Sequence, residues 1–327
     1  MERIIADARQ SEQSYKAAVE LFEMRCRSLN LSPETIVWYE KVLRGFIVFL
    51  DTLPDRPLPR NTKPLHVRAY LDYLHGKTTK VGRKVAPGSV KRFYVGLKTF
   101  FGFLARERVI LSDPMALVEK PRAPKVIIRS LSPEQVQALL RQPDTRTFTG
   151  LRNWTMFLLM LDSGLRLSEL LAIKTADIDW AGNGITVMGK GAKERTIYFG
   201  SAAKKALWDY KQRRGDTPGV DALFVDQFGR TVKKRWLQQV LARYGRKASI
   251  EGVRVSPHTL RHSFAVSYIL NGGDAFSLQR LLGHSSMETV KIYVGLANRD
   301  VALQHRRFSP MDSLGIVPGQ RRQVVCK

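Results

Sequence analysis

The segment that decides the fold begins Ser256-Pro257-His258-Thr259-Leu260-Arg261, continues through Leu281-Leu282-Gly283-His284, and ends at Tyr293. A second arginine lies upstream in Gly164-Leu165-Arg166. Together these strings supply two guanidiniums, two imidazoles and a phenol, a set that can hold a phosphodiester and attack it without a metal ion. Each residue alone has an ordinary explanation, so the order and spacing of the whole set carry the prediction.

The first part of this segment predicts a helix that begins at Ser256-Pro257, with serine as the N-cap and proline in the first turn. His258 and Arg261 are three residues apart and therefore share one face of that helix. We expect both side chains to reach the same anion. His262 points away from this pair, which favours a structural role for it.

The second part predicts a helix that ends at Gly283, because glycine suits a left-handed cap. His284 then lies in a turn and can face a cleft. Tyr293 falls in a short helix that starts near Met287. It is one of ten tyrosines in the chain, and its interpretation as a nucleophile depends on the rest of the set.

Two upstream positions add to the same site. Ser163-Gly164 can end one helix, and Arg166 then lies in the first turn of the next, where free backbone N–H groups favour a phosphate. Glu169 can orient the guanidinium of Arg166, although a surface salt bridge is the ordinary alternative. Lys190 lies at the tip of a predicted β-hairpin, residues 185–199.

The charge of the chain predicts a polyanionic partner. The 327 residues include 54 Lys and Arg against 29 Asp and Glu, a formal net charge of +25. Such an excess attracts nucleic acid; a solvated basic surface or an anionic membrane surface is the alternative. The two cysteines form no disulfide or zinc pattern, and no apolar run approaches the roughly 20 residues of a membrane span. The sequence therefore predicts a cytoplasmic protein with no cofactor and no metal site.

Two regions of different pattern predict two domains. Residues 1–120 have helical periodicity throughout. Residues 121–130 contain two prolines and no helical period, which predicts a linker. A capping box at Ser132–Gln135 opens the second domain, residues 131–310, and residues 311–327 form a tail. The predicted fold class is mainly α with a small β-sheet.

Two basic runs without acidic residues predict contacts to the DNA backbone. Residues 77–106 contain eight basic side chains, and residues 230–247 contain seven. Solvated helix faces are the alternative explanation. The residues predicted to bind DNA are Lys77, Lys80, Arg83, Lys84, Lys91, Arg92, Lys98, Lys233, Lys234 and Arg235.

In its motifs the chain resembles the tyrosine recombinases of the phage-integrase and Xer type. The matching strings are Gly164-Leu165-Arg166-x-Ser168-Glu169-Leu170, Gly189-Lys190-Gly191-x-Lys193-Glu194-Arg195, Pro257-His258-x-Leu260-Arg261-His262, and Leu282-Gly283-His284-Ser285 followed by Tyr293. The N-terminal helices resemble the SAM-like core-binding domain of the family. The resemblance covers most of the chain and shows no departure at a catalytic position.

The resemblance implies a division of tasks among six catalytic residues. They are Arg166, Lys190, His258, Arg261, His284 and Tyr293. The arginines would hold the non-bridging oxygens and Tyr293 would attack the phosphorus. His258 is the first candidate for the base, and Lys190 would protonate the leaving 5′-oxygen.

The family further implies a 3′-phosphotyrosyl intermediate and rejoining without ATP. The partners implied are double-stranded DNA with a specific recombination site and a homotetramer on two duplexes that passes through a Holliday junction. A related recombinase or an accessory DNA-bending protein would also be compatible. The segment after Tyr293, with a helix expected at 296–305, would dock on a neighbouring protomer.

Three alternatives remain open on the sequence. A type IB topoisomerase shares this chemistry but reseals the original strand. A metal-dependent nuclease needs clustered carboxylates, and the acidic residues here are scattered. A non-catalytic DNA-binding protein could retain the fold. Among recombinases, the length, basic excess and tail slightly favour a mobile-element integrase over a resolvase of chromosome dimers.

Overall fold

The computed structural model describes residues 14–79, 82–124, 129–189, 194–216 and 219–283, together with residues 287, 290, 291, 293, 305 and 309. Over these residues the chain is mainly helical with one small antiparallel sheet, which is the predicted fold class. The chain divides into two compact units, Met1–Val126 and Ile127–Lys327. None of the described helices is long and apolar enough to cross a lipid bilayer.

The described part of the first unit is built from four helices around an aromatic core. They are α1 (Tyr15–Ser28), α2 (Pro33–Leu50), α3 (Pro64–Gly76) and α4 (Pro87–Arg106). Ser32 caps α2 by accepting a hydrogen bond from the Thr35 N–H, as its Ser-Pro sequence predicts. Phe22 is fully buried and meets the ring of Phe100 edge-on at 5.5 Å, a favoured aromatic arrangement.

The described part of the second unit combines seven helices with three strands. The helices are α5 (Pro133–Leu140), α6 (Phe148–Ser163), α7 (Leu167–Ala172), α8 (Ser201–Arg214), α9 (Lys234–Lys247), α10 (Pro257–Leu270) and α11 (Ala275–Leu282). The strands β1 (Ile178–Asp179), β2 (Gly184–Met188) and β3 (Glu194–Tyr198) pair antiparallel in the order β1-β2-β3. The predicted capping box forms at Ser132 and Gln135, so α5 begins where the sequence predicts.

Two glycines in the left-handed backbone conformation end helices of the second unit. Gly164 ends α6 with φ 65°, and Gly283 ends α11 with φ 62°. Both positions have the conformation that glycine adopts without steric cost. At Gly164 a Cβ would lie 2.3 Å from the ring of Phe264, so α10 packs directly against this turn.

Candidate active site

Three consecutive backbone carbonyls at the end of α11 each accept a hydrogen bond from a different arginine side chain. The pairs are Leu281 with Arg195, Leu282 with Arg261 at 2.6 Å, and Gly283 with Arg166 at 3.0 Å. The last carbonyls of a helix lack intrahelical partners and form the negative end of its dipole, so they suit cationic donors. The arginines come from β3, α10 and the start of α7, which are far apart in sequence.

Arg261 connects the ends of two helices. Its guanidinium also donates to the carbonyl of Gly164 at 2.6 Å, so it spans the ends of α6 and α11. The residue is only 6% exposed. Burial, reinforced by the charge of Arg166, lowers the pKa of Arg261 to about 10. Because this pKa is well above 7, the Arg261 side chain remains charged at neutral pH. Its two hydrogen bonds to the helix ends hold the guanidinium in one orientation.

Glu169 is the carboxylate of this cluster and is only 4% exposed. It accepts from the side chain of Arg166 at 2.7 Å, from the backbone N–H of Arg166 at 2.8 Å, and from Arg195 at 2.7 Å. Burial alone raises the pKa of Glu169. The N–H of Arg166 and the charges of Arg195 and Arg166 outweigh burial and hold the pKa below its ordinary value. The predicted partner of Arg166 is thus a buried carboxylate rather than a surface one.

Tyr293 packs in a small hydrophobic cluster with Phe264, Leu282 and Val290. It is 2% exposed, and its hydroxyl forms a hydrogen bond with Nδ1 of His262. Burial raises the pKa of the Tyr293 phenol, although the charge of Arg261 opposes this. At neutral pH the phenol is protonated in this arrangement and needs a proton acceptor to react.

The sequence favours a structural role for His262 because it points away from the His258–Arg261 pair, and it does not predict the contact of His262 with Tyr293. Burial, with the nearby His258 and Arg261, lowers the pKa of His262, so the ring is neutral at pH 7 and can accept a proton. His258 is exposed on the same helix. The signal for His262 was its position beside Arg261 in the matched string.

Three consecutive residues of α10 thus anchor three different parts of the unit. Arg261 holds the helix ends, and His262 contacts Tyr293. Ser263 accepts a hydrogen bond from the N–H of Leu131 at 2.9 Å. Neighbouring residues on a helix point about 100° apart, which is why one helix can reach all three.

The structure describes four of the six predicted catalytic residues. Arg166 and Arg261 meet at the end of α11, Tyr293 lies beside His262, and His258 is exposed. Lys190 and His284 lie outside the described residues. Arg195, which the sequence reasoning did not single out, is the third arginine of the cluster at the end of α11. Within the described ranges, no group of three or more His, Cys, Asp and Glu could hold a metal ion.

The predicted DNA-contacting residues occur in both units, and nearly all of those that the structure describes are exposed. Those exposed are Lys77, Arg83, Lys84, Arg92 and Lys98 in the first unit and Lys233, Lys234 and Arg235 in the second; Lys91 is half-buried and Lys80 lies outside the described residues. Lys98 lies over the ring of Tyr94, 6.0 Å from its centre.

Comparison with known proteins identifies relatives over most of the chain. Residues 129–299 match the phage integrase family. The tyrosine recombinase XerD of Xanthomonas campestris is 35% identical over 252 residues, covering 74% of this chain and 77% of the relative. The tyrosine recombinase XerD of Lacticaseibacillus casei is 34% identical over 287 residues, covering 86% and 94%.

Solved structures show the same fold. The XerH site-specific recombinase, in a post-cleavage complex with a palindromic difH substrate, aligns with a TM-score of 0.71 at 20% identity, covering 91% of this chain and 85% of that one. A lambda integrase dimer bound to a COC′ core site aligns with a TM-score of 0.68 at 18% identity, covering 84% and 96%. The chain belongs to the phage integrase family and is a Xer-type tyrosine recombinase, an enzyme of site-specific DNA recombination.

Proposed function

We propose that this recombinase cuts and rejoins DNA through a 3′-phosphotyrosyl intermediate in which Tyr293 is the nucleophile. One observation carries the proposal: Arg166 and Arg261, 95 residues apart in the numbering, converge on adjacent carbonyls at the end of α11. The chain leads from that point to Tyr293, ten residues after Gly283. Two fixed guanidiniums thus lie at the start of the segment that carries the phenol.

The two arginines would bind the non-bridging oxygens of the scissile phosphate. Charge-assisted and bidentate hydrogen bonds from guanidinium suit this geometry, and fixed donors stabilise the charge that develops in the transition state. Metal independence belongs to this proposal, since guanidiniums would carry the load that a metal ion carries in other phosphoryl-transfer enzymes. Adduct formation should therefore proceed at an unchanged rate in EDTA.

The remaining roles concern protons. Lys190 would protonate the leaving 5′-oxygen, and His284 would donate a hydrogen bond to the phosphate. His258 is the candidate base from the resemblance. His262 is a second candidate, favoured by its hydrogen bond with the Tyr293 hydroxyl. A histidine with a lowered pKa is neutral near pH 7 and can take the phenolic proton.

A suicide DNA substrate tests the identity of the nucleophile. It carries a nick next to the cleavage site, so that the short fragment released by cleavage dissociates and the strand cannot be rejoined. The wild type should accumulate a covalent protein–DNA adduct, and Tyr293→Phe should form none while it still binds DNA. Tyr268→Phe is the matched control, because Tyr268 is a half-buried tyrosine of the same unit; this variant should form adduct like the wild type. An adduct with Tyr293→Phe would assign the nucleophile to another residue.

The assembly is proposed on the resemblance alone: a homotetramer on two duplexes, with residues after 297 docking on a neighbouring protomer. Deletion of residues 298–327 should then abolish cooperative assembly and strand exchange between two marked sites. Unchanged exchange would remove the docking role. The comparisons support neither a topoisomerase nor a non-catalytic protein, and products joined across the two sites would separate recombination from simple resealing.

A further inference from the structure

Arg195 lies between the two groups that hold Arg166. The guanidinium of Arg166 donates to Oε1 of Glu169 at 2.7 Å and to the carbonyl of Gly283 at 3.0 Å. Arg195 also binds Glu169 and the end of α11. Its Nη2 donates to Oε2 of Glu169 at 2.7 Å, and its Nη1 donates to the carbonyl of Leu281.

The approach of Arg195 to the end of α11 is close. A Cβ at Gly283 would lie 2.8 Å from Nε and 3.0 Å from Cδ of Arg195. That Nε is buried with no hydrogen-bond partner in the described part of the chain. A buried donor without a partner is destabilising. Arg195 thus makes its two contacts through Nη1 and Nη2 at the cost of an unsatisfied Nε.

We propose that Arg195 is a positioning residue for Arg166: by holding Glu169 and the end of α11 together, it fixes the guanidinium that would receive the scissile phosphate. This inference rests on the proposed phosphate-binding role of Arg166. Arg195 is the second residue of β3, shortly after the predicted hairpin tip with Lys190. It therefore also ties the strand that follows Lys190 to the arginine cluster.

The geometry requires a guanidinium. One fork of nitrogens spans a carboxylate on α7 and a carbonyl on α11, and a lysine ammonium is a single point that cannot hold both in the same way. Arg195→Lys keeps the charge beside Glu169 and should preserve part of the function. Arg195→Met keeps much of the length and removes every donor.

The rate of adduct formation on the suicide substrate, measured with saturating protein, tests the proposal. A displacement of about 1 Å at a reacting centre can lower a rate by about 100-fold, and we expect a loss of this size for Arg195→Met and a smaller loss for Arg195→Lys. DNA affinity should stay within about threefold, since many backbone contacts contribute to it. Arg146→Met, which breaks an exposed arginine–aspartate pair of the same unit, should change neither quantity.

A methylphosphonate at the scissile position separates positioning from general structural support. This group replaces one charged oxygen by a methyl and so reduces the need for a well-placed Arg166. The deficit of Arg195→Met relative to wild type should shrink on this substrate. If the deficit is the same on both substrates, or if DNA affinity falls with the rate, Arg195 is a structural residue only.

The controls keep this inference distinct from the proposed function. If the wild type forms no adduct at Tyr293, the proposed function fails. If the wild type reacts and both Arg195 variants react at the same rate, only the positioning role fails. Should Arg195→Met not fold, as thermal unfolding would show, Arg195→Lys carries the comparison on the two substrates.

Discussion

Replacing Glu169 by glutamine should destabilise the catalytic unit strongly although the side chain changes by one atom. The carboxylate accepts two hydrogen bonds of 2.7 Å from Arg166 and Arg195 and one of 2.8 Å from the Arg166 N–H. In Glu169→Gln one acceptor becomes an NH2 group that faces these donors. Removing one partner of a buried ion pair costs about 3–5 kcal/mol, and we expect a loss of this order in the free energy of unfolding.

The lowered pKa of Glu169 predicts how the stability difference between wild type and Glu169→Gln depends on pH. A carboxyl whose pKa is lower in the folded state stabilises the fold fully above the ordinary pKa of glutamate, and this contribution is lost as the pH falls through the folded-state pKa. The glutamine variant has no such group to titrate. The difference in stability between wild type and Glu169→Gln should therefore be constant around neutral pH and narrow in acid.

Urea unfolding followed by tryptophan fluorescence measures this difference. Four of the five tryptophans lie in the second unit, and only Trp38 lies in the first, so the signal reports mainly on the unit that contains Glu169. Glu251→Gln, at an exposed position, is the matched control and should stay within about 0.5 kcal/mol of wild type. Equal unfolding midpoints for Glu169→Gln and wild type would refute the reasoning. So would a difference in the free energy of unfolding between the two proteins that does not become smaller in acid.

Three further changes test other parts of the site. Arg261→Lys should lower the rate of adduct formation by about 10²–10³-fold with little change in DNA affinity, because a lysine cannot span both helix ends. Gly283→Ala should destabilise the unit by about 1–2 kcal/mol from its positive φ alone. In urea unfolding the loss should exceed that of Gly219→Ala, since Gly219 also has a positive φ but an added Cβ there meets nothing within 4 Å. His262→Phe should slow adduct formation by about 10²-fold and remove the acidic limb of the pH–rate profile if His262 takes the proton of Tyr293; an unchanged limb assigns that role elsewhere.

Local signals in the sequence located the ends of helices well. Ser256 caps α10, Gly283 adopts the left-handed conformation, and Ser132 forms its capping box. These features depend on a few neighbouring residues and on backbone sterics, so a short string is sufficient to predict them. The partnership of Glu169 with Arg166 is of the same local kind, because the two lie three residues apart at the start of one helix.

The contacts of Arg195 and His262 could not be read in this way. Arg195 meets a carbonyl 86 residues away, and His262 meets Tyr293 31 residues away. Arg152 shows the same limit: it is 1% exposed and packs 4.5 Å from the ring of Trp236, whereas a charged residue is ordinarily expected at the surface. The roles of Lys190 and His284 remain predictions from the resemblance.

Arg261, His262 and Ser263 are consecutive residues of α10, so the directions of their three side chains are fixed relative to one another. A rotation of α10 about its axis would therefore turn all three side chains by the same angle. It would break the contacts of Arg261 with the two helix ends, of His262 with Tyr293 and of Ser263 with Leu131 together. One residue inserted between Pro257 and Arg261 would turn all three by about 100°. The length of this short stretch is therefore as strict a requirement as the identity of its side chains, and conformational changes that leave α10 unrotated would preserve all three connections.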